Sequence, residues 1–120
     1  MTARFVVSLS HATNDPDRAT VAFTLANAAL GCDQETVVFL SSDGVNLAIQ
    51  GRADDIAEPG FTPLPELMSK FVEGGGQIYV CLPCFNKRAL PEAEILPGSL
   101  IVGGAKLVAF MATGAPSISY

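Results

Sequence analysis

The sequence predicts a three-layer α/β/α fold with a parallel sheet of about five strands. Short apolar runs rich in branched and aromatic residues, such as Val37-Val38-Phe39-Leu40, are typical of buried strands. These runs alternate with segments of helical periodicity, which favours parallel strands joined by right-handed helical crossovers. The chain has 120 residues and neither an internal repeat nor a linker, so we expect one domain over residues 1–120.

Turn residues divide the chain into its predicted elements. The predicted strands cover residues 4–10, 35–42, 77–82, 100–102 and 117–120, the last of them at a sheet edge. The predicted helices cover residues 16–31, 45–49, 62–73, 84–90 and 105–113. Asp15 is placed to cap the first helix and Pro16 to occupy its first position. The polar segment 51–60 is expected to form a mobile loop.

Charge and cysteine content exclude several classes of partner. The net charge is −5, and the seven basic residues are scattered, which argues against nucleic acid and against an anionic membrane surface. No apolar run reaches the roughly 18 residues needed to span a bilayer. The segment 1–7 enters a strand too early to be a signal peptide. The chain has an odd number of cysteines, which favours a location in the reducing cytoplasm, where thiols stay unpaired.

The predicted helix 105–113 has an unusual composition. Apart from Lys106, its residues 105–112 are apolar all round, and only 16% of the whole chain is charged. A helix on the surface of a monomer needs a polar face. The sequence therefore predicts a homo-oligomer that buries this helix or the first one.

Candidate site residues follow the carboxyl ends of the predicted strands, where open parallel sheets bind their ligands. Cys81 and Cys84 follow the third strand and are the candidate catalytic residues. The candidate ligand-binding residues follow the first, second and fourth strands, and they are His11, Asn14, Ser42, Asp43, Gly103 and Gly104.

The Cys81-Leu82-Pro83-Cys84 segment allows several chemistries. A helix beginning at Cys84 would stabilise a thiolate there, and Lys87 and Arg88 follow with a favourable charge. The pair is also compatible with a thioredoxin-type redox motif, or with buried, inert thiols. A zinc site would require Cys32 and His11 to converge on the pair. His11, the single histidine, is a loop hydrogen-bonding residue or a general base.

Four segments together resemble the DsrE/DsrF-like family of small sulfur-relay proteins, which includes the YchN and TusD types. They are the strand–loop–helix at residues 8–29, Val38-Phe39-Leu40-Ser41-Ser42-Asp43-Gly44-Val45, the segment 80–89, and Ile101-Val102-Gly103-Gly104-Ala105. The segment 80–89 is similar to the family pattern C-x-x-C-x-x-x-R-G, with Ala89 in the place of the glycine.

The resemblance implies a parallel three-layer fold, homo-oligomers such as trimers or hexamers, and cysteines that carry sulfur as a persulfide. Single-cysteine carriers of the family place theirs at the position of Cys81, whereas helix electrostatics favours Cys84. Two function classes remain. One is a cytoplasmic sulfur carrier that exchanges sulfur with donor and acceptor proteins and needs no metal or cofactor. The other is an oligomeric small-ligand-binding module with unreactive cysteines.

Overall fold

The computed structural model describes residues 3–120. Met1 and Thr2, which begin the predicted domain and the segment predicted not to be a signal peptide, lie outside the described residues. The strands are β1 (Arg4–Leu9), β2 (Glu35–Leu40), β3 (Gln77–Cys81), β4 (Ser99–Val102) and β5 (Ser117–Ser119). The α-helices are α1 (Pro16–Gly31), α2 (Leu64–Glu73), α3 (Leu82–Lys87) and α4 (Gly104–Met111).

All five strands are parallel and lie in the order β4-β3-β2-β1-β5. The chain moves steadily from β1 to β4, so α1 and α2 pack on one face of the sheet. The return from β4 to β5 carries α4 over the opposite face, where Phe110 packs with Val6, Val37, Tyr79 and Val102. The predicted three-layer fold class is confirmed.

The first helix begins and ends where the sequence indicates. Asp15 is its N-cap and accepts a hydrogen bond from the backbone N–H of Arg18 at 3.1 Å, while Pro16 occupies the first turn. The same contacts with Arg18 hold the pKa of the Asp15 carboxyl below its usual value. An acceptor at this position satisfies one of the otherwise unpaired N–H groups of the first turn.

The second strand is shorter than predicted. It ends at Leu40, and a 3₁₀-helix covers Ser42–Ala48 in place of the predicted segment 45–49. The cause is a sharp turn in which Ser42 adopts a φ of 48°. Gly44 permits this turn, because a Cβ there would lie 2.4 Å from the carbonyl oxygen of Leu9.

The segment 51–60, expected to form a polar loop, has local structure of its own. It forms successive hydrogen-bonded turns, with the N–H of Asp54 donating to the carbonyl of Gly51 and that of Ile56 to Ala53. Ala53 and Ile56 are buried in the core cluster beneath α2. These two apolar side chains, spaced three residues apart, fix the segment to the domain.

The face that carries α4 is thinly covered. Phe110 is the buried residue of α4, whereas Val108 is 65% exposed and Leu100 on the neighbouring strand β4 is 49% exposed. In the α1–α2 face, by contrast, Phe23 and Phe71 are fully buried.

No helix among residues 3–120 combines the length and apolar character needed to cross a bilayer.

Candidate functional site

The two cysteines of the pair lie at the junction of β3 and α3. Cys81 is the last residue of β3 and the N-cap of α3, and its Sγ accepts a hydrogen bond from the backbone N–H of Cys84 at 3.4 Å. Both thiols are free and partly exposed. The helix begins at Leu82, two residues earlier than predicted, and it ends at Lys87 rather than residue 90. Cys84 therefore lies within the first turn rather than at its start.

The surroundings of Cys81 disfavour its thiolate form. Burial, the largest effect, raises the pKa of Cys81 above the ordinary value of 9.0, and interaction with the side chain of Cys84 raises it further. The backbone N–H of Cys84 and the charge of Arg88 oppose that shift. Desolvation penalises the charged thiolate more than these groups stabilise it.

Arg88 connects the loop after β2 with the cysteine segment. Its Nη2 and Nε donate to Oδ1 of Asp43 at 3.0 and 3.3 Å, and its Nη1 donates to the carbonyl oxygen of Cys84 at 3.2 Å. The sequence pointed to Arg88 only as a charge of suitable sign.

Two non-glycine residues beside this bridge have left-handed backbone conformations. Ser42 has a φ of 48° and Ala89 a φ of 49°. Such conformations are costly for residues with a Cβ and are often found at functional sites. Ala89 stands where the family pattern has glycine, and the positive φ gives the physical reason for a glycine there. The strain at Ser42 was missed, because Ser-Ser-Asp-Gly is also an ordinary turn sequence.

The other predicted site residues lie at the same edge of the sheet, each with local contacts. The ring Nδ1 of His11 lies 3.3 Å from the hydroxyl of Ser10. Asn14 accepts from the N–H of Ala12 at 2.8 Å, which stabilises its own loop. Gly103 and Gly104 are exposed at the start of α4, directly after Val102, the strand partner of Cys81. Of the predicted residues, Cys81 and Cys84 are in direct contact, and Arg88 joins Asp43 to Cys84.

Cys32 lies apart from the pair. It is the exposed residue at the end of α1, just before β2 begins, whereas the pair follows the end of β3. Among residues 3–120, no three His, Cys, Asp or Glu side chains come together as a metal site. Cys32 therefore serves as an internal reference thiol outside the site.

The family model described as the DsrE/DsrF-like family matches residues 3–119. Two similar proteins are uncharacterized proteins of Methanocaldococcus jannaschii. MJ0989 is 29% identical over 108 residues, covering 90% of this chain and 91% of its own. MJ0760 is 28% identical over 99 residues and 82% of this chain, but the match spans only 36% of MJ0760.

Two solved structures are similar in fold. YchN from E. coli superposes with a TM-score of 0.78 at 16% identity, covering 98% of this chain and 99% of YchN. MTH1491 of Methanobacterium thermoautotrophicum, a protein of unknown function, superposes with a TM-score of 0.75 at 15% identity. The superposition covers 98% of this chain and 99% of MTH1491. These similarities concern the fold, and the family match extends over nearly the whole described sequence. The chain thus belongs to the DsrE/DsrF-like family.

Proposed function

We propose that this protein is a sulfur carrier that holds a sulfane sulfur as a persulfide on the Cys81–Cys84 pair. The observation that carries the proposal is the contact between the Cys84 N–H and the Cys81 Sγ, at the sheet edge where parallel folds bind ligands. Family membership supports the same chemistry. Both thiols are free and reachable by a donor.

The proposed reaction needs no cofactor, because the transferred sulfur is the cargo. A thiolate of the pair attacks the terminal sulfur of a donor persulfide, forms a new S–S bond and releases the donor thiolate. The second thiol then attacks the inner sulfur of the protein persulfide, forming a Cys81–Cys84 disulfide and releasing hydrosulfide. Alternatively, an acceptor thiolate takes the outer sulfur and regenerates the protein thiol. Each step exchanges one S–S bond for another.

We assign the first attack to Cys84. Burial raises the pKa of Cys81, which reduces its thiolate population at neutral pH, and only a thiolate is an effective nucleophile. Arg88 positions the cysteine segment by binding the carbonyl of Cys84 and the carboxylate of Asp43. His11, Asn14, Ser42, Gly103 and Gly104 form the proposed surroundings in which donor and acceptor groups bind.

The proposed assembly is a homo-oligomer, a trimer or hexamer, formed through the face that carries α4. Val108 and Leu100 expose apolar surface there, at 65% and 49%, and Lys106 is the one charged residue of α4. A second copy is the proposed occupant, because self-association removes this apolar surface from water in every molecule alike. The cytoplasm, where thiols stay reduced, is the proposed location.

The experiment uses Cys32 as its internal control. The Cys32→Ser variant and the Cys81→Ser/Cys84→Ser double variant are incubated with polysulfide, or with thiosulfate and a rhodanese, and their intact masses are compared. We expect Cys32→Ser to gain one sulfur, or to lose two hydrogens where the Cys81–Cys84 disulfide has formed, faster than the double variant gains sulfur at Cys32. Cys32 is the more exposed thiol. Faster loading of the pair would therefore reflect its chemistry rather than its accessibility.

The competing candidate is an oligomeric ligand-binding module with unreactive cysteines. One observation favours it, namely that burial raises the pKa of Cys81 and so suppresses its nucleophilicity. In that case, neither Cys81 nor Cys84 would be alkylated faster than in a denatured control, and no sulfur adduct would appear on the pair. Single Cys81→Ser and Cys84→Ser variants would then load no less sulfur than the wild type.

A further inference from the structure

A cavity of about 410 Å³ lies away from the cysteine site, beside α2. It opens between Pro65–Glu73 of α2 on one side and loop residues 49–54 on the other, with Ile78 of β3 between them. The segments around Ile49 and Leu96 line the remaining space. Ile78, at its floor, precedes Cys81 by three residues in β3, a separation of about 10 Å along the strand.

The walls of the cavity are apolar and held by backbone hydrogen bonds. Ile49, Met68 and Ile78 are nearly inaccessible to solvent and line its interior, together with Val72 and Leu96. The N–H of Leu96 donates to the carbonyl of Ala48 at 2.7 Å, and that of Gln50 donates to Glu94 at 2.9 Å. These bonds tie the two loop segments together. The cavity is therefore preformed, as small-molecule sites usually are.

Polar groups are confined to the exposed rim. Asp54 and Glu73 contribute two carboxylates and Ser69 a hydroxyl, and none of the described residues that line the cavity is a lysine, arginine or histidine. The nearby Arg52 directs its guanidinium to Oδ1 of Asn46 at 2.7 Å. An apolar interior with two carboxylates at its mouth complements a molecule with an apolar body and one positive charge.

We propose that this cavity binds a small organic cation, an aromatic or branched aliphatic amine whose apolar part enters between α2 and the loop segments. The ammonium group pairs with Asp54 and Glu73 at the rim. The volume lies in the range usual for small-molecule sites. The site is independent of the cysteine pair and does not rest on the proposed sulfur chemistry.

The test uses three probes of similar shape and different charge, which are 2-phenylethylamine, 2-phenylethanol and 3-phenylpropionate. Binding to the ¹⁵N-labelled full chain is followed by NMR. We expect the amine to shift resonances of residues 51–54 and 68–73 at the lowest concentration, the alcohol to bind more weakly and the carboxylate not to bind. Glu73→Gln and Asp54→Asn should each weaken amine binding by about two- to fivefold and leave the alcohol unaffected.

Two further variants test whether the probes bind in this cavity. Ser69→Trp places a large side chain at the exposed rim of the cavity, and it should abolish binding of both the amine and the alcohol while the chain stays folded. Cys81→Ser/Cys84→Ser should bind the amine as the wild type does. Equal binding of amine and carboxylate, shifts centred elsewhere, or no shift with any probe would overturn the proposal.

Discussion

The two faces of the sheet differ in how completely they are covered. On the α1–α2 face, Phe23 and Phe71 meet edge to face, 5.9 Å between ring centroids, and both are fully buried. On the α4 face, Phe110 and Tyr79 make a similar contact at 6.3 Å, but Val108 and Leu100 beside them remain exposed. The first face is a closed core within the single chain, and the second leaves apolar surface exposed, which the proposed second copy would cover.

The largest expected effect comes from opening the closed face. Phe71→Ala should lower the free energy of unfolding by about 3–5 kcal/mol, because it leaves a cavity where Phe23, Phe71 and the backbone of Gly76 are in contact. Urea denaturation measures the change, which should be the same at every protein concentration. A loss below about 1 kcal/mol would mean that this face is not the main core.

The open face should respond through assembly rather than folding. Val108→Glu places a charge on the exposed side of α4 and should convert the proposed oligomer to monomers, as measured by light scattering, while the circular dichroism spectrum stays unchanged. The apparent stability of the wild type should rise with protein concentration, whereas that of the monomeric variant should not depend on it. Thr24→Glu, on the exposed side of α1, is the matched control.

The two variants also show which of the two helices, α1 or α4, forms the interface between copies. Dissociation by Thr24→Glu but not by Val108→Glu would place the interface on α1. A wild-type protein that is monomeric at micromolar concentration would contradict the assembly account altogether.

The sequence predicted the fold much better than the detail of the site. Alternating apolar runs and helical segments depend on local spacing, so the parallel sheet and the cap at Asp15 could be inferred. The bridge from Arg88 to Asp43 joins residues 45 apart in sequence, and no local pattern reports it. The turn at Ser42 was missed for a related reason. Gly44 is required there by a contact with the backbone of Leu9, a residue on another strand.

The cysteine pair should show a distinctive pH dependence. In Cys84→Ser, alkylation of Cys81 should rise with pH to a midpoint above that of the denatured chain, because burial, the main cause of the raised pKa, remains. The pKa of Cys81 is higher in the folded state than in the unfolded state. Its contribution to stability is therefore full below the unfolded-state pKa and is lost as the pH rises through the folded-state pKa. The denatured chain provides the reference curve. A midpoint at or below the denatured value would contradict the burial argument.

The smallest expected effect is the relief of strain beside the site. Ala89→Gly should raise the free energy of unfolding by about 0.5–1 kcal/mol, because glycine adopts the observed φ of 49° without steric cost. Ala109→Gly, in the exposed part of α4, should have the opposite sign and lose about 1 kcal/mol. Denaturant midpoints compare the two. Destabilisation by Ala89→Gly would mean that the left-handed turn is not strained.

The sulfur-carrier account is tested most directly by the rate at which each thiol acquires sulfur. Cys32→Ser and Cys81→Ser/Cys84→Ser are mixed with the same polysulfide, and the gain of one sulfur atom is followed by intact mass over time. The pair should load faster than Cys32 although Cys32 is more exposed, and a thiol acceptor should then remove the added sulfur. Equal or slower loading of the pair would contradict it.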